Sequence, residues 1–165
     1  MERYLSPMDG LPDEHMRMVG VISAHWEYLE ILLERAIADT MGRDYYEVQL
    51  LTENVSFTNK CDLVLIYARP FEKTEPDEWK KFTLARAELK AAHGARNEYV
   101  HAQWKQDRTT KVWGKSSVRT KGGKPVISDN AVDIEDMNKA AQQIWDAAIK
   151  FLALCQSHGV LTTLT

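Results

Sequence analysis

Arg96, Asn97 and His101 are spaced so that a helix would gather three chemically useful side chains. Residues four apart lie one turn above each other, so Asn97 and His101 share a face, and Arg96 lies about 100° round from Asn97 and leans towards them. The histidine titrates near neutral pH, the arginine carries a fixed charge, and the small amide sits between them. This set suits cleavage of a phosphodiester beside a ribose 2′-hydroxyl. The histidine would move a proton between hydroxyl and leaving oxygen, while the guanidinium would stabilise charge growing on the phosphate as the 2′-oxygen attacks. Such chemistry calls for neither a metal nor a cofactor.

The elements that must position these residues are predominantly helical. Residues 13–41 carry Val19, Ile22, Trp26, Leu29, Leu33 and Ile37 at three- and four-residue steps, with Asp13 and Glu14 at the start and Gly42 at the stop. A second helix follows a cap at Ser56, carries Phe57, Cys61, Val64, Leu65 and Ala68, and ends at Pro70. The third starts near Thr74-Glu75-Pro76-Asp77-Glu78 and reaches about Ala102, so it bears the arginine, amide and histidine late in its course. Ala85, Ala87, Ala91, Ala92, Gly94 and Ala95 make its middle slender enough for another helix to approach closely. The fourth starts at Asp133, buries Ile134, Met137, Ile144, Ala148, Phe151 and Cys155, and ends at Gly159. Between the last two, Gly122-Gly123 separates runs of strand character, which predicts a β-hairpin over 105–128 with Pro125 on an edge strand. The whole of 1–165 is expected to form one domain.

In that setting Arg96-Asn97-Glu98-Tyr99-Val100-His101 resembles the RNxxxH motif of the HEPN superfamily (higher eukaryotes and prokaryotes nucleotide-binding). The resemblance covers the motif and, loosely, the helical portions. It implies a mainly α fold, a four-helix HEPN-like bundle with the β-hairpin inserted between helices 3 and 4. It also implies a two-fold homodimer and, in active members, metal-independent endoribonuclease activity of the toxin or defence type, with an antitoxin protein as a further partner. Carried over residue by residue, Arg96 contacts phosphate, Asn97 supports it and His101 transfers the proton. Family members often have leucine before the arginine and glycine after the histidine, where this chain has Ala95 and Ala102. Some relatives are catalytically inactive, which leaves an RNA-binding or protein-interaction scaffold as the alternative. Structurally, Arg96 could instead pair with Glu27 or Glu30 on the first helix, and His101 could be a hydrogen-bonded residue at a helix end.

Charge distribution points to the same substrate class. The chain of 165 residues has a net charge of −3, yet residues 105–124 hold Lys105, Arg108, Lys111, Lys115, Arg119, Lys121 and Lys124 against the single acid Asp107. A basic segment on an acidic body attracts polyanions locally and orients them, so Lys111, Lys115, Arg119 and Lys121 are candidate RNA-binding residues. The same lysines equally suit a solvated edge that resists aggregation. Trp104 and Trp113 flank the segment and either stack on unpaired bases or pack. His93, Asn97 and His101 form a stripe, but the two histidines stand roughly 12 Å apart along a helix and cannot share a metal. No nucleophile elbow or phosphate loop occurs. Cys61 and Cys155 fall on apolar faces, as free thiols of a reducing compartment do. With no signal-peptide pattern and no run of about 20 apolar residues, the protein is expected in the cytoplasm, away from membranes.

Overall fold

The computed structural model describes the backbone of residues 10–107, 109–121 and 124–161, and their side chains except those of 117–121 and 124–129. Its longest helix, α1 (Asp13–Met41), follows the apolar stripe closely. Ile22, Trp26, Leu29, Leu33 and Ile37 are all buried, and Asp13 and Glu14 occupy the first turn. Gly42 closes the helix in the left-handed region at φ 60°, where its N–H reaches the Ala38 and Asp39 carbonyls. A short helix, α2 (Tyr45–Thr52), starts from Asp44, whose carboxylate accepts from the Tyr46 N–H at 2.8 Å. Ser56 caps α3 (Phe57–Ala68) by accepting from the Asn59 N–H at 3.3 Å.

After a single turn, α4 (Phe71–Thr74), comes α5 (Pro76–Val100), with proline at its start and Asp77 and Glu78 in its first turn. The last helix, α6 (Ile134–Ser157), is capped by Asp133, which accepts from the Glu135 N–H at 3.1 Å. α1 packs against α2, α3, α5 and α6, and α5 packs in turn on α3 and α6. One buried apolar cluster runs from Leu11 to Leu161. The fold is mainly helical. The four predicted helices correspond to α1, α3, α5 and α6, and the described residues add α2 and α4 between them.

The predicted hairpin is part of a three-stranded antiparallel sheet in the order β1-β2-β3. β2 (Trp113–Lys121) pairs with β3 (Lys124–Ala131), Lys121 standing opposite Lys124. Pro125 lies on β3, an edge strand, as its missing donor requires. β1 (Gln103–Gln106) is an addition to the hairpin that the sequence pattern does not predict. Its sequence Gln-Trp-Lys-Gln has one apolar residue, Trp104, and thus no alternation to read. Trp104 is buried and edge-on to His15 of α1, so it packs rather than stacks on bases. Gly114 is demanded by the sheet: a Cβ there would lie 2.7 Å from the Asn130 carbonyl oxygen.

Cys61 and Cys155 are free and buried, and burial pushes both thiols up to about 12, which leaves them inert core groups. Among the described residues a Cβ at Gly94 would meet nothing within 4 Å. Among the described residues no helix is long and apolar enough to cross a membrane.

Candidate active site

The last two turns of α5 bring the motif together. α5 ends at Val100, and His101 caps it with φ −101° and ψ 12°. That break lets the exposed imidazole fold back to Arg96, whose Nη1 donates to His101 Nε2. The same Nη1 donates to Asn97 Oδ1 at 3.0 Å, and Asn97 Nδ2 stands 3.0 Å from His93 Nε2. Donor and acceptor roles follow from the arginine, because a guanidinium only donates. Asn97 must therefore turn its oxygen to Arg96 and its amide nitrogen to His93. Both histidines then accept through Nε2.

α1 and α3 supply the floor. The Arg96 guanidinium carbon lies 5.6 Å from the centre of the Trp26 ring. His93 packs against Trp26 and Phe57, with ring centres 5.3 and 5.2 Å away, and those two rings are 4.4 Å apart. Burial lowers the pKa of His93, and the charge of Arg96 and the neighbouring His101 lower it further against the opposing pull of Glu30. The hydrogen-bond pattern requires that same neutral state. Behind the floor, Trp26 Nε1 donates to Glu30 Oε2 at 2.9 Å, and Lys60 Nζ lies 3.7 Å from Glu30 Oε1 and 2.5 Å from Glu34 Oε1. Arg96 thus rests on an aromatic face. The alternative ion pair with Glu27 or Glu30 is not formed among the described residues, and Glu30 is engaged instead by Trp26 and Lys60.

No family model, curated protein or solved structure matches the chain. What the cluster can do follows from its own groups. Arg96 is half-buried and, among the described residues, its guanidinium is hydrogen-bonded through Nη1 alone, so other N–H groups of the fork remain for an anion. An incoming phosphate oxygen would draw Nη1 from His101 and leave the Nε2 lone pair exposed beside it. Among the described residues no group of three or more His, Cys, Asp or Glu gathers as a metal would need.

The basic segment is less uniform than its composition. Ala102 alone separates His101 from β1, so the sheet springs directly from the end of α5 that carries the motif. Lys111 is exposed in the turn before β2, with φ 60°. Asp107, the one acid of the segment, forms that turn by accepting from the Thr109 and Thr110 N–H groups at 2.8 and 2.6 Å, which holds its carboxyl below the usual range. Lys115 is bonded to Glu98 of α5 and lies 4.2 Å over the Tyr99 ring, with its side chain only 13% exposed. Its charge is already answered. Arg119 and Lys121 have side chains outside the described residues. Trp113 packs partly buried against the core and lines a concavity of about 530 Å³ together with Lys105, Thr110 and Lys115.

Sequence spacing finds Arg96, Asn97 and His101 but not the members behind them. The stripe that excludes a shared metal also sets His93 one turn before Asn97, where an amide can donate to it. Trp26 reads as one more member of the α1 core stripe, and nothing local distinguishes it as the seat of Arg96.

Proposed function

We propose that the protein is a metal-independent endoribonuclease of the HEPN toxin or defence type, acting in the cytoplasm on single-stranded or looped RNA. The observation that carries this reading is the contact between the donor-only guanidinium of half-buried Arg96 and the accepting Nε2 of an exposed histidine. The resemblance of Arg96-Asn97-Glu98-Tyr99-Val100-His101 to the RNxxxH motif supports it, and the mainly helical fold is compatible with that family's bundle.

In the reaction, Arg96 binds the scissile phosphate and His101 Nε2 takes the proton of the 2′-hydroxyl. The 2′-oxygen attacks phosphorus, the bond from phosphorus to the 5′-oxygen breaks, and that oxygen leaves with the proton that His101 has taken. The products are a 2′,3′-cyclic phosphate and a 5′-hydroxyl. Purified protein incubated with RNA in chelator tests this directly. RNA is cut to ends of that kind, and an RNA carrying 2′-deoxyribose at the cleaved position is not. Cleavage of the deoxy substrate, or activity that vanishes with chelator, overturns the mechanism. A catalytically inactive RNA-binding or protein-interaction scaffold is the second reading, favoured by the neutralised Lys115. It predicts no cleavage in the same assay.

RNA binding by the sheet makes a graded prediction. Replacing Lys111, Lys115, Arg119 and Lys121 together by alanine weakens binding and flattens its salt dependence, by about 0.7 in log–log slope for each phosphate that is no longer neutralised. Lys115→Ala alone has the smallest effect, because Glu98 already holds its Nζ, whereas Glu98→Gln releases that charge and strengthens binding. Filter binding of a single-stranded RNA across salt concentrations measures both. An unchanged slope in the quadruple variant would make the sheet a solubilising edge.

The homodimer implied by the family gains support from α5, where Ala87, Ala91 and Gly94 are exposed on one face and leave room for a second copy. Two facing motifs would also divide the acid and base roles between two copies of His101. Mixing Arg96→Ala and His101→Ala proteins should restore part of the activity in heterodimers. A fully active monomer in sedimentation at micromolar concentration refutes the shared site. An antitoxin partner is proposed on the resemblance alone.

A further inference from the structure

His93 belongs to neither the motif nor the reaction, yet its placement is specific. It packs against the rings of both Trp26 and Phe57, which also touch each other, and turns Nε2 to Asn97 at 3.0 Å. We propose that His93 is a positioning residue, whose Nε2 holds the Asn97 amide in the one orientation that presents its oxygen to Arg96 and so aims Arg96 at His101.

Polarity along the chain of hydrogen bonds sets this orientation. Asn97 can face Arg96 with either end of its amide as far as shape is concerned. Only the oxygen end attracts a guanidinium. An acceptor at His93 makes that orientation doubly favourable, since the opposite one would set NH₂ against Nη1 and oxygen against the lone pair of Nε2. Were Nε2 protonated, the preference would invert: Asn97 would turn its oxygen to His93 and set a donor against Arg96. The charged and titratable groups around the ring are Arg96 and His101 from α5 and Glu30 from α1, which is itself close to Lys60 of α3, while Trp26 and Phe57 carry no charge. Together with burial they keep His93 below its ordinary pKa, so the acceptor persists at neutral pH.

A purely structural His93 would fill space beside two aromatic rings, and that alternative predicts the opposite order of variants. His93→Phe keeps a ring in the aromatic seat and deletes the acceptor. His93→Gln deletes the ring and offers an amide oxygen to Asn97 Nδ2. The catalytic consequence rests on the ribonuclease reading: with an RNA substrate, His93→Phe should lose on the order of 10- to 100-fold in kcat with little change in KM. His93→Gln should retain more of kcat than His93→Phe, even where it melts at a lower temperature. Equal kcat for wild type and His93→Phe, or greater loss in His93→Gln, overturns the proposal.

A second measurement does not depend on activity. In ¹⁵N-labelled wild type at pH 7, His93 Nε2 should show the resonance of an unprotonated ring nitrogen, and the Asn97 side-chain amide should be shifted from its free position. That shift should collapse in His93→Phe. A protonated Nε2, or an Asn97 amide indifferent to the phenylalanine, removes the link whether or not RNA is cut. A wild type that cuts no RNA but shows both resonances as expected would defeat the ribonuclease reading and leave the positioning geometry standing.

Discussion

Alanine at Arg96 or at His101 is expected to lower RNA cleavage by on the order of 10²- to 10⁴-fold while the protein stays folded. His101 is exposed at the end of α5 and makes no contribution to the core, so its removal takes away the proton acceptor and little else. Arg96 differs because its guanidinium rests on Trp26, and truncation also strips packing from that ring. Arg96→Lys separates the two effects. Lysine keeps the charge and most of the stem but cannot donate to Asn97, His101 and a phosphate from one planar group. It should remain stable and still lose most of the activity. Because arginine and histidine act on one transition state, the double alanine variant should be scarcely slower than either single one. Single-turnover cleavage of a short RNA, with circular dichroism to verify folding, measures all four proteins. An alanine variant as fast as wild type would exclude its residue from the chemistry.

What could be read in advance divides along a physical line. The helix limits set by Pro12, Gly42, Ser56 and Asp133 are local signals, written in the chain within a few residues of where they act. The motif is local too: Arg96 and Asn97 lie in the last turns of α5 and His101 caps it, so local backbone geometry brings them together. The aromatic seat is different. Trp26 and Phe57 reach His93 only because α1 and α3 pack on α5, and no spacing within α5 announces them. Charge counting has a similar blind spot. It registers Lys115 as one more base in a basic run, while the fold places it against Glu98 across the join of helix and sheet. β1 offers no pattern to read, its one apolar residue being Trp104.

The largest stability effect should come from a lysine that chemistry does not use. Lys60 on α3 is an apolar-face residue by position, with its side chain 6% exposed, and its ammonium is placed 2.5 Å from Glu34 and 3.7 Å from Glu30. Glu34 is 10% exposed, and its carboxylate adds to burial in raising the pKa of Tyr45. Lys60→Met conserves the length of the side chain and removes the charge, which strands Glu34 in the core. Breaking a buried pair from one side costs about 3–5 kcal/mol, far more than an exposed pair. Lys60→Met with Glu34→Leu should recover most of the loss, because the cost lies in the unpaired charge rather than in the absence of a bridge.

Urea unfolding of wild type, single and double variants at pH 7.5 tests this. A loss below about 1 kcal/mol at pH 7.5 would mean that Lys60 reaches water and the pair is not buried. The site should register the same change, since Lys60 is the cation beside Glu30, which in turn receives Trp26 Nε1 beneath Arg96. Cleavage by the double variant, stable but without that cation, reports how far the charge behind the aromatic floor steadies the guanidinium above it.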